Sequence, residues 1–226
     1  MTLKLGYWTA DGIVAPIRML LHALGQEYEN ITYAKPADWT PIKQKRIENG
    51  DDFMNLPFLE DGDTLIRESG AIPYYLCQKF NKELFGKNAL DTTRIIQIEG
   101  VVNDIDEAII FKAFVENPKE ALTEAIKEET KGSKLLASVA TFLGDKEFLL
   151  GYLTYADLKL AYMIHFHRSV LLCFEIEDPF LRLPNLLPFA KRVFDHDLLK
   201  GYLDSENHLP CLNLDFFPWF KEHPLP

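Results

Sequence analysis

The sequence predicts two domains of different class, an α/β domain at the N-terminus followed by an all-α domain. A β-α-β unit is recognisable at the start of the chain, and two apolar runs flank the turn Asp61-Gly62-Asp63, which predicts a β-hairpin. Past residue 88, long segments with helical periodicity follow without a convincing strand. The predicted boundaries are residues 1–84 for the first domain and residues 88–226 for the second.

The first domain begins with an alternating segment, residues 3–8, that predicts a strand. Apolar residues recur at helical spacing over residues 16–24, and Gly25 is placed to end that helix. Residues 28–33 predict a second strand, parallel to the first because a helix connects the two. Residues 35–50 are interpreted as irregular. With the hairpin that follows, the order of elements resembles a thioredoxin-like fold.

Helical periodicity characterises the second domain. Four segments predict helices: 94–114, 121–143, 184–194 and 197–202. Pro118 separates the first two of them. Thr154 and Asp157 have the spacing of a capping box, with Thr154 as the N-cap and Asp157 at the third helical position. The box therefore predicts the start of a further, buried helix.

The composition disfavours several classes of function. The chain of 226 residues carries a formal net charge of −10, which makes nucleic acid or an anionic membrane surface an unfavourable main partner. No apolar run approaches the roughly 18–20 residues of a membrane-spanning helix, and the first residues lack a signal-peptide pattern. Three cysteines without a CxxC pair are typical of a reducing compartment. The sequence therefore predicts a cytosolic protein with no nucleic-acid or membrane partner.

A binding site is predicted in residues 51–76. Pro57 cannot donate to a sheet, so it should stand where a strand begins and leave the N–H and C=O of Leu56 free to pair with a peptide ligand. Glu68 and Ser69 follow the hairpin where a helix should begin, and a helix start can hold a carboxylate. The alternatives are an ordinary trans proline and a serine that only caps the helix. Together these features indicate a short peptide-like ligand with a terminal carboxylate.

These motifs resemble those of the cytosolic glutathione S-transferases over nearly the whole chain. The first half is similar to the mu class in Leu5-Gly6-Tyr7-Trp8, in Gly12 with Pro16-Ile17-Arg18, and in residues 55–62. Residues 37–43 look more like the sigma class. The second half is similar to the family in Phe148-Leu149-Leu150-Gly151 with the capping box, and in Leu183-Pro184-Asn185-Leu186.

The resemblance implies both an architecture and an activity. The architecture is a thioredoxin-like α/β domain that binds glutathione, followed by an all-α domain that binds the electrophile. The activity is conjugation of the glutathione thiolate to hydrophobic electrophiles, a detoxification reaction. Glutathione is the only cofactor expected, as a co-substrate, and no metal is expected. A homodimer is the expected assembly.

The resemblance also assigns roles around the sulfur and the glycine end of glutathione. Tyr7 is the expected catalytic residue, because a phenol O–H at the end of the first strand can donate to the sulfur and favour the thiolate. Trp8 is expected beside it in the same site. Trp39, by its indole N–H, and Lys43, by its charge, are expected at the glycine end. An ordinary surface position is the alternative for these last two.

Five residues are expected to hold the rest of the tripeptide. The backbone of Leu56 would pair with the cysteinyl unit, with Pro57 in cis, and Asn55 would reach the ligand from just before. Ser69 would bind the γ-glutamyl carboxylate with its hydroxyl and N–H. Glu68 would bind the ammonium group. Mu-like enzymes have Gln at that last position, so the glutamate is expected to strengthen the ammonium contact.

Three further expectations concern the partner subunit and the electrophile. Asp104 matches an acid that the family contributes across the dimer interface towards the same ammonium group; a solvated acidic helix face is the alternative. Trp8, Ile13 and Phe114 match the usual walls of the electrophile pocket, which leave the natural substrate unspecified. The aromatic tail, residues 211–226, is expected to pack on the helical domain rather than to cover that pocket.

Asp11 departs from the family pattern, because mu enzymes typically carry an arginine there. An acid near a forming thiolate would raise the pKa of the thiol unless it points to solvent, so a sluggish enzyme is expected.

Other functions are weighed against conjugation. A glutathione-dependent isomerase of the prostaglandin synthase type would use the same thiolate, and residues 37–43 give it some support. A non-catalytic ligand-binding or structural member of the family is favoured only by Asp11. A thiol-disulfide oxidoreductase is disfavoured, because Tyr7 and Trp8 stand where its cysteine would be.

Overall fold

The computed structural model describes residues 2–51, 53–212 and 217 of the chain. These residues form two compact units. The first contains the residues up to Lys82 together with the described residues from Leu198 onward, and the second contains Glu83–Asp197. The sequence-based boundary assigns residues 198–212 to the second domain, whereas they fold with the first. Contacts between such distant parts of the chain leave no periodic signal in the sequence, which explains the difference.

The first unit is built on a four-stranded mixed sheet. Its strands are β1 (Leu3–Trp8), β2 (Tyr28–Tyr33), β3 (Phe58–Asp61) and β4 (Thr64–Arg67). They lie in the order β2-β1-β3-β4, with β1 parallel to β2 and antiparallel to β3, and with β3 antiparallel to β4. The predicted β-α-β unit and hairpin are therefore confirmed.

Gly6 allows the centre of this sheet to pack closely. It pairs with Phe58 of the neighbouring strand, and a Cβ atom at Gly6 would lie only 2.2 Å from the ring of Phe58. Any larger residue would force that ring away, so the glycine of the Leu5-Gly6-Tyr7-Trp8 motif is required by packing.

Three helices complete the first unit: α1 (Ala15–Ala23), α2 (Pro36–Glu48) and α3 (Ala71–Phe80). The prediction of an irregular segment over residues 35–50 is wrong, since α2 occupies most of it. Pro36 stands at the first helical position, which it favours, and Trp39 is the only buried residue of this helix. A helix that buries one side chain shows no apolar stripe, so periodicity could not reveal it.

The second unit is helical, as predicted. It contains α4 (Ala89–Ala108), α5 (Pro118–Ala125), α6 (Lys131–Leu143), α7 (Tyr155–Cys173) and α8 (Leu186–Phe194). The predicted helix over 94–114 begins five residues earlier, because the Asn88 side chain accepts a hydrogen bond from the Asp91 amide, and it passes into a 3₁₀ turn at Ile110–Phe114. The predicted helix over 121–143 is two helices, because Thr130 caps a new start.

The capping box at the start of α7 is confirmed. The carboxylate of Asp157 accepts hydrogen bonds from the Thr154 amide at 2.8 Å, from the Thr154 hydroxyl at 2.7 Å and from the Leu149 amide at 2.8 Å. The box thus ties the start of the most buried helix of this unit to the loop before it. Residues 197–202, predicted as a helix, form only a 3₁₀ turn at Asp197–Leu199.

Candidate functional site

Tyr7 lies near the end of β1 with only 9% of its surface exposed. Burial raises the pKa of Tyr7 above the ordinary value of a phenol, and a hydrogen bond from the Ile13 amide and the positive charge of Arg18 oppose part of that rise. The phenol therefore keeps its proton at neutral pH. A protonated phenol can donate its O–H to a ligand acceptor.

The turn after β1 approaches Tyr7 closely. Gly12 has a φ of +45°, and a Cβ atom at this position would lie 2.9 Å from the hydroxyl oxygen of Tyr7. The turn continues as a 3₁₀ helix, Gly12–Val14, which carries the amide of Ile13. Glycine is therefore needed here both for the backbone conformation and for the approach to the phenol.

Asp11 is fully buried and forms an ion pair with Arg18. The Arg18 Nη1 atom lies 2.7 Å from the Asp11 carboxylate and 2.7 Å from the Ala10 carbonyl oxygen, and Nη2 lies 3.3 Å from the side-chain oxygen of Asn30. Both ionic side chains are 0% exposed. The expectation that Asp11 raises the pKa of the thiol assumed that no positive charge lies beside its carboxylate. The carboxylate does not point to solvent, but the guanidinium balances its charge at hydrogen-bonding distance.

Trp39 belongs to a buried cluster with Tyr33, Met54 and Phe58. Its ring stacks on Phe58, with centroids 6.1 Å apart, and tilts against Tyr33 at 5.1 Å. Trp8 and Leu56 pack against the same cluster. The alternative of a surface aromatic is thus excluded for Trp39, and its role at the glycine end of glutathione stays a prediction.

One turn further along α2, Lys43 comes close to Asn55. The Lys43 ammonium lies 3.4 Å from the side-chain oxygen of Asn55, at the outer limit of a hydrogen bond. Residues four apart on a helix share a face, so Trp39 and Lys43 stand on the same side of α2. The structure therefore places the Lys43 ammonium beside Asn55, one helical turn from Trp39, and the roles of the three residues at the ligand stay predictions.

The Leu56–Pro57 peptide bond is cis, as the resemblance implies. Pro57 is buried, whereas Leu56 is half-buried and precedes the first paired residue of β3, Phe58. Within residues 2–51, 53–212 and 217, the backbone of Leu56 thus lies outside the strand ladder, as a pairing position for an extended ligand requires.

Glu68 and Ser69 occupy the turn between β4 and α3. Glu68 has a φ of +71°, and its carbonyl oxygen accepts the amides of Ala71 and Ile72 at 3.0 and 3.1 Å. The N-cap of α3 is Gly70, so Ser69 is not a helix-capping serine. Such a backbone conformation is uncommon for glutamate and is found preferentially at functional sites.

The remaining predicted residues are distributed over both units. Asp104 lies on α4 in the second unit, where its carboxylate is 3.4 Å from the Lys131 ammonium. Ile13, in the first unit, is 45% exposed, and Phe114, in the second unit, is 43% exposed. The electrophile pocket assigned to Trp8, Ile13 and Phe114 stays a prediction. Most of the aromatic tail, residues 213–216 and 218–226, lies outside the described residues.

Arg18 and the Ile13 amide are the functional groups that sequence reasoning missed. Arg18 was noted only as part of a motif. A signal for its role was present, because it stands inside the otherwise apolar run of α1, where all residues from Ala15 to Leu21 are buried. A charged residue in such a run needs a buried partner, and Asp11 is the nearest acid before it.

None of the helices in residues 2–51 and 53–212 is both long and apolar enough to cross a membrane. In the same part of the chain, no cluster of three or more His, Cys, Asp or Glu side chains has the arrangement of a metal site.

Comparison with known proteins supports the architecture and the resemblance. Residues 3–78 match the family model of the glutathione S-transferase N-terminal domain, and residues 103–206 match that of the C-terminal domain. The chain is 31% identical over 217 residues to glutathione S-transferase Y1 of Cricetulus longicaudatus, covering 92% of this chain and 94% of the relative. It is 30% identical over 218 residues to a class-mu 26 kDa glutathione S-transferase, isozyme 51, of Fasciola hepatica, with 92% and 91% covered.

The solved structures agree. The pi-class glutathione S-transferase of Onchocerca volvulus superposes with a TM-score of 0.74 at 26% identity, over 90% of this chain and 93% of that one. Three findings agree: the two matched domains, the fold, and two relatives at 30% identity or more, each aligned over nine-tenths of the chain. The chain belongs to the glutathione S-transferase family.

Proposed function

We propose that this glutathione transferase uses the hydroxyl of Tyr7 to stabilise the thiolate of bound glutathione for attack on hydrophobic electrophiles. The supporting observation is the environment of Tyr7. Its buried phenol keeps its proton, and the backbone amide of Ile13, in the turn beside it, lowers its pKa in part. A protonated phenol can donate its hydrogen to a negatively charged acceptor such as a thiolate, and a hydrogen bond to a charged acceptor is stronger than one between neutral groups.

The raised pKa of Tyr7 supports a role as a hydrogen-bond donor to the sulfur and not as a base that removes the thiol proton. A phenol that ionises above its ordinary range is almost entirely protonated at neutral pH, so it cannot accept the thiol proton efficiently. In the proposed step the thiol proton leaves to solvent while Tyr7 keeps its own. The sulfur lone pair then forms a bond to an electrophilic carbon, and the leaving group departs with the electron pair of its bond.

The proposed glutathione site extends along the edge of the first unit. Trp39 and Lys43 would hold the glycine end from one face of α2, and Asn55, whose side-chain oxygen lies 3.4 Å from the Lys43 ammonium, would reach the ligand from just before Leu56 and the cis proline. The backbone of Leu56 would pair with the cysteinyl unit. Binding in this way uses strand pairing for affinity and a cationic side chain for the terminal carboxylate.

At the other end of the tripeptide, Ser69 and Glu68 would bind the γ-glutamyl group. Glu68 is exposed and Ser69 half-buried in the turn before α3. The start of α3 supplies a positive dipole end near the expected carboxylate, and the side chain of Glu68 supplies a negative charge for the ammonium. These electrostatic contacts do not require the side chains of Glu68 and Ser69 to be buried.

The proposal includes three further points. The protein would form a homodimer and would be located in the cytosol. The electrophile pocket would have walls from Trp8, Ile13 and Phe114. In the homodimer, Asp104 of the partner subunit would add a second negative charge near the ammonium. Asp104 forms an exposed ion pair with Lys131 of its own chain, and an exposed pair of this kind is weak enough to exchange partners.

The decisive experiment is conjugation of glutathione to 1-chloro-2,4-dinitrobenzene by wild type and by Tyr7→Phe, from about pH 6 to about pH 9, a range that spans the usual thiol pKa. We expect Tyr7→Phe to lose about tenfold or more in kcat/KM at neutral pH, equivalent to about 1.4 kcal/mol, with the thiol titrating at higher pH. Tyr74→Phe, an exposed tyrosine of α3, is the matched control and should retain wild-type activity. Equal activity of wild type and Tyr7→Phe would refute the role of Tyr7.

A glutathione-dependent isomerase is the second candidate. The observation that favours it is the sigma-like segment, residues 37–43, which α2 carries. Such an enzyme would isomerise its substrate without consuming glutathione, so the glutathione consumed per product separates the two activities. The non-catalytic alternative rested on Asp11, and the ion pair with Arg18 removes that support. Glutathione binding without turnover by wild type would restore it.

A further inference from the structure

Residues 198–212 lie against the turn that follows β1, although almost 190 residues separate the two segments in the chain. The Asp11 amide donates to the Pro210 carbonyl oxygen at 2.8 Å, and the Gly12 amide donates to the Cys211 carbonyl oxygen at 3.0 Å. Two successive amides are thus bound by two successive carbonyl groups. We call residues 198–212 the return segment.

Buried side chains anchor the return segment. Tyr202 is 1% exposed, with ring centroids 5.7 Å from His22 and 5.5 Å from His208. The Lys200 carbonyl oxygen lies 3.1 Å from the Nε2 atom of His22 on α1. Leu199 is also buried. These contacts fix the segment to the first unit independently of its bonds to the turn.

A contact between His208 and Asp11 joins the return segment to the buried ion pair. The Nε2 atom of His208 lies 3.7 Å from the second carboxylate oxygen of Asp11, and its Nδ1 atom lies 3.1 Å from the Leu203 carbonyl oxygen. Burial and the charge of Asp11 raise the pKa of Tyr202 well above that of an ordinary phenol. The Tyr202 phenol, which lies beside His208, therefore stays neutral. Asp11 thus has two cationic partners, Arg18 from α1 and, when protonated, His208 from the return segment.

The opposite side of the same turn contacts the catalytic phenol. A Cβ atom at Gly12 would lie 2.9 Å from the Tyr7 hydroxyl oxygen, and the backbone amide of the next residue, Ile13, lowers the pKa of Tyr7 against the effect of burial. A turn with a left-handed glycine has many accessible conformations unless its neighbours restrain it. In this protein the restraint comes from Arg18, which binds Ala10 and Asp11, and from the return segment.

We propose that the return segment is a positioning element for catalysis: Pro210, Cys211 and His208 hold the turn so that Gly12 and the Ile13 amide stay in place beside the Tyr7 hydroxyl. This placement sets how strongly Tyr7 favours the thiolate, and His208 is a positioning residue without contact to substrate. Small misplacements of positioned groups can reduce rates by as much as about a hundredfold. The inference rests on the function proposed for Tyr7.

The test is a double-mutant cycle between His208→Leu and Tyr7→Phe. The readouts are the pKa of the thiol in the glutathione complex, followed by the ultraviolet absorbance of the thiolate, together with kcat/KM and KM for glutathione. We expect His208→Leu to raise the thiol pKa by about half a unit to one unit, a loss of about three- to tenfold in thiolate at neutral pH. KM for glutathione should stay within about twofold, because the ligand contacts are intact. In the Tyr7→Phe background, His208→Leu should add little.

Two further variants make the outcome decisive. Glu206→Leu changes an exposed residue of the same segment and should leave the thiol pKa unchanged. His208→Gln keeps a polar donor and should restore part of the wild-type value, and it decides the test if His208→Leu does not fold. A lowered melting temperature with an unchanged thiol pKa would show that the segment is only structural and would overturn the inference. Equal effects of His208→Leu with and without Tyr7 would also overturn it, even if Tyr7→Phe alone confirms the catalytic role.

Discussion

At the scale of single residues, Gly12 is required for two reasons, its backbone conformation and its close approach to Tyr7. Its φ of +45° disfavours any residue with a Cβ atom, and that atom would also lie 2.9 Å from the Tyr7 hydroxyl oxygen. We expect Gly12→Ala to lower the free energy of unfolding by about 1–2 kcal/mol through backbone strain. Activity should fall further than stability explains, because the phenol must move. Denaturant unfolding and kcat/KM measure the two effects.

Gly25 provides the control for Gly12. It has a φ of +62° at the end of α1, and a Cβ atom there would meet nothing within 4 Å. Gly25→Ala should therefore show a similar loss of stability with activity retained in the folded protein. If both variants lose activity in proportion to their stability, the contact between Gly12 and Tyr7 does not matter to catalysis.

Glu99 gives a residue-scale prediction about pH. Burial raises the pKa of Glu99 from 4.5 to about 7, although the Lys159 ammonium lies 3.7 Å away and opposes the rise. The folded chain then holds this proton more tightly than the unfolded chain between pH 4.5 and about pH 7. The contribution of Glu99 to stability is therefore largest at low pH and is lost as pH rises through this window.

Glu99→Gln removes this titration. The stability of Glu99→Gln relative to wild type should therefore increase from about pH 5 to about pH 8, by roughly 1 kcal/mol or more. Urea unfolding at the two pH values measures the difference. Glu107→Gln, on the exposed face of the same helix, is the control and should show no such trend. A constant difference between Glu99→Gln and wild type would show that Glu99 titrates normally.

At the scale of elements, the capping box decides where α7 begins. Asp157 is fully buried and accepts three hydrogen bonds, two from Thr154 and one from the Leu149 amide. Asp157→Ala leaves buried donors without an acceptor, so we expect it to lower the free energy of unfolding by about 2–4 kcal/mol. Thermal or urea unfolding measures the loss. Asp145→Ala, an exposed residue of the preceding loop, should be near neutral, and a similarly small effect of Asp157→Ala would contradict this account.

The elements that could be predicted from sequence are those with local causes. The strands β1 and β2, the hairpin and the start of α7 follow from alternation, turn chemistry and a capping box, which are all encoded within a few residues. Helix α2 was missed because it buries only Trp39. The division between α5 and α6 was missed although the sequence carries a signal for it, because residues 127–134 contain no aliphatic or aromatic side chain and Thr130 caps the second helix.

In the candidate site, too, some features could be predicted from local motifs and others depend on contacts between elements. The cis bond before Pro57 agrees with what the family motifs imply, whereas the roles of Lys43 and Asn55 at the ligand stay predictions. The partnership of Asp11 with Arg18 joins a turn to a helix, and composition cannot reveal it. The expectation of an impaired enzyme came from Asp11 alone, without the partner that balances its charge.

At the scale of the whole molecule, the first unit is assembled from the residues up to Lys82 and from the return segment. Its sheet comes from the first 67 residues, and its turn beside Tyr7 is bound by the return segment. A domain model that ends near residue 84 therefore omits part of the folded unit. One consequence is that substitutions near the C-terminus should destabilise the N-terminal sheet.

Tyr202→Ala tests this consequence. Truncating a fully buried aromatic side chain typically costs about 3–5 kcal/mol, and the contacts of Tyr202 with His22 and His208 belong to the first unit. We expect faster amide hydrogen exchange in residues 2–33 and 54–82, measured by mass spectrometry, with much smaller changes in Glu83–Asp197. Tyr74→Ala, which truncates an exposed tyrosine of the same unit, should change little. If Tyr202→Ala accelerates exchange only within residues 198–212, the return segment opens independently, and the first unit does not need it to fold.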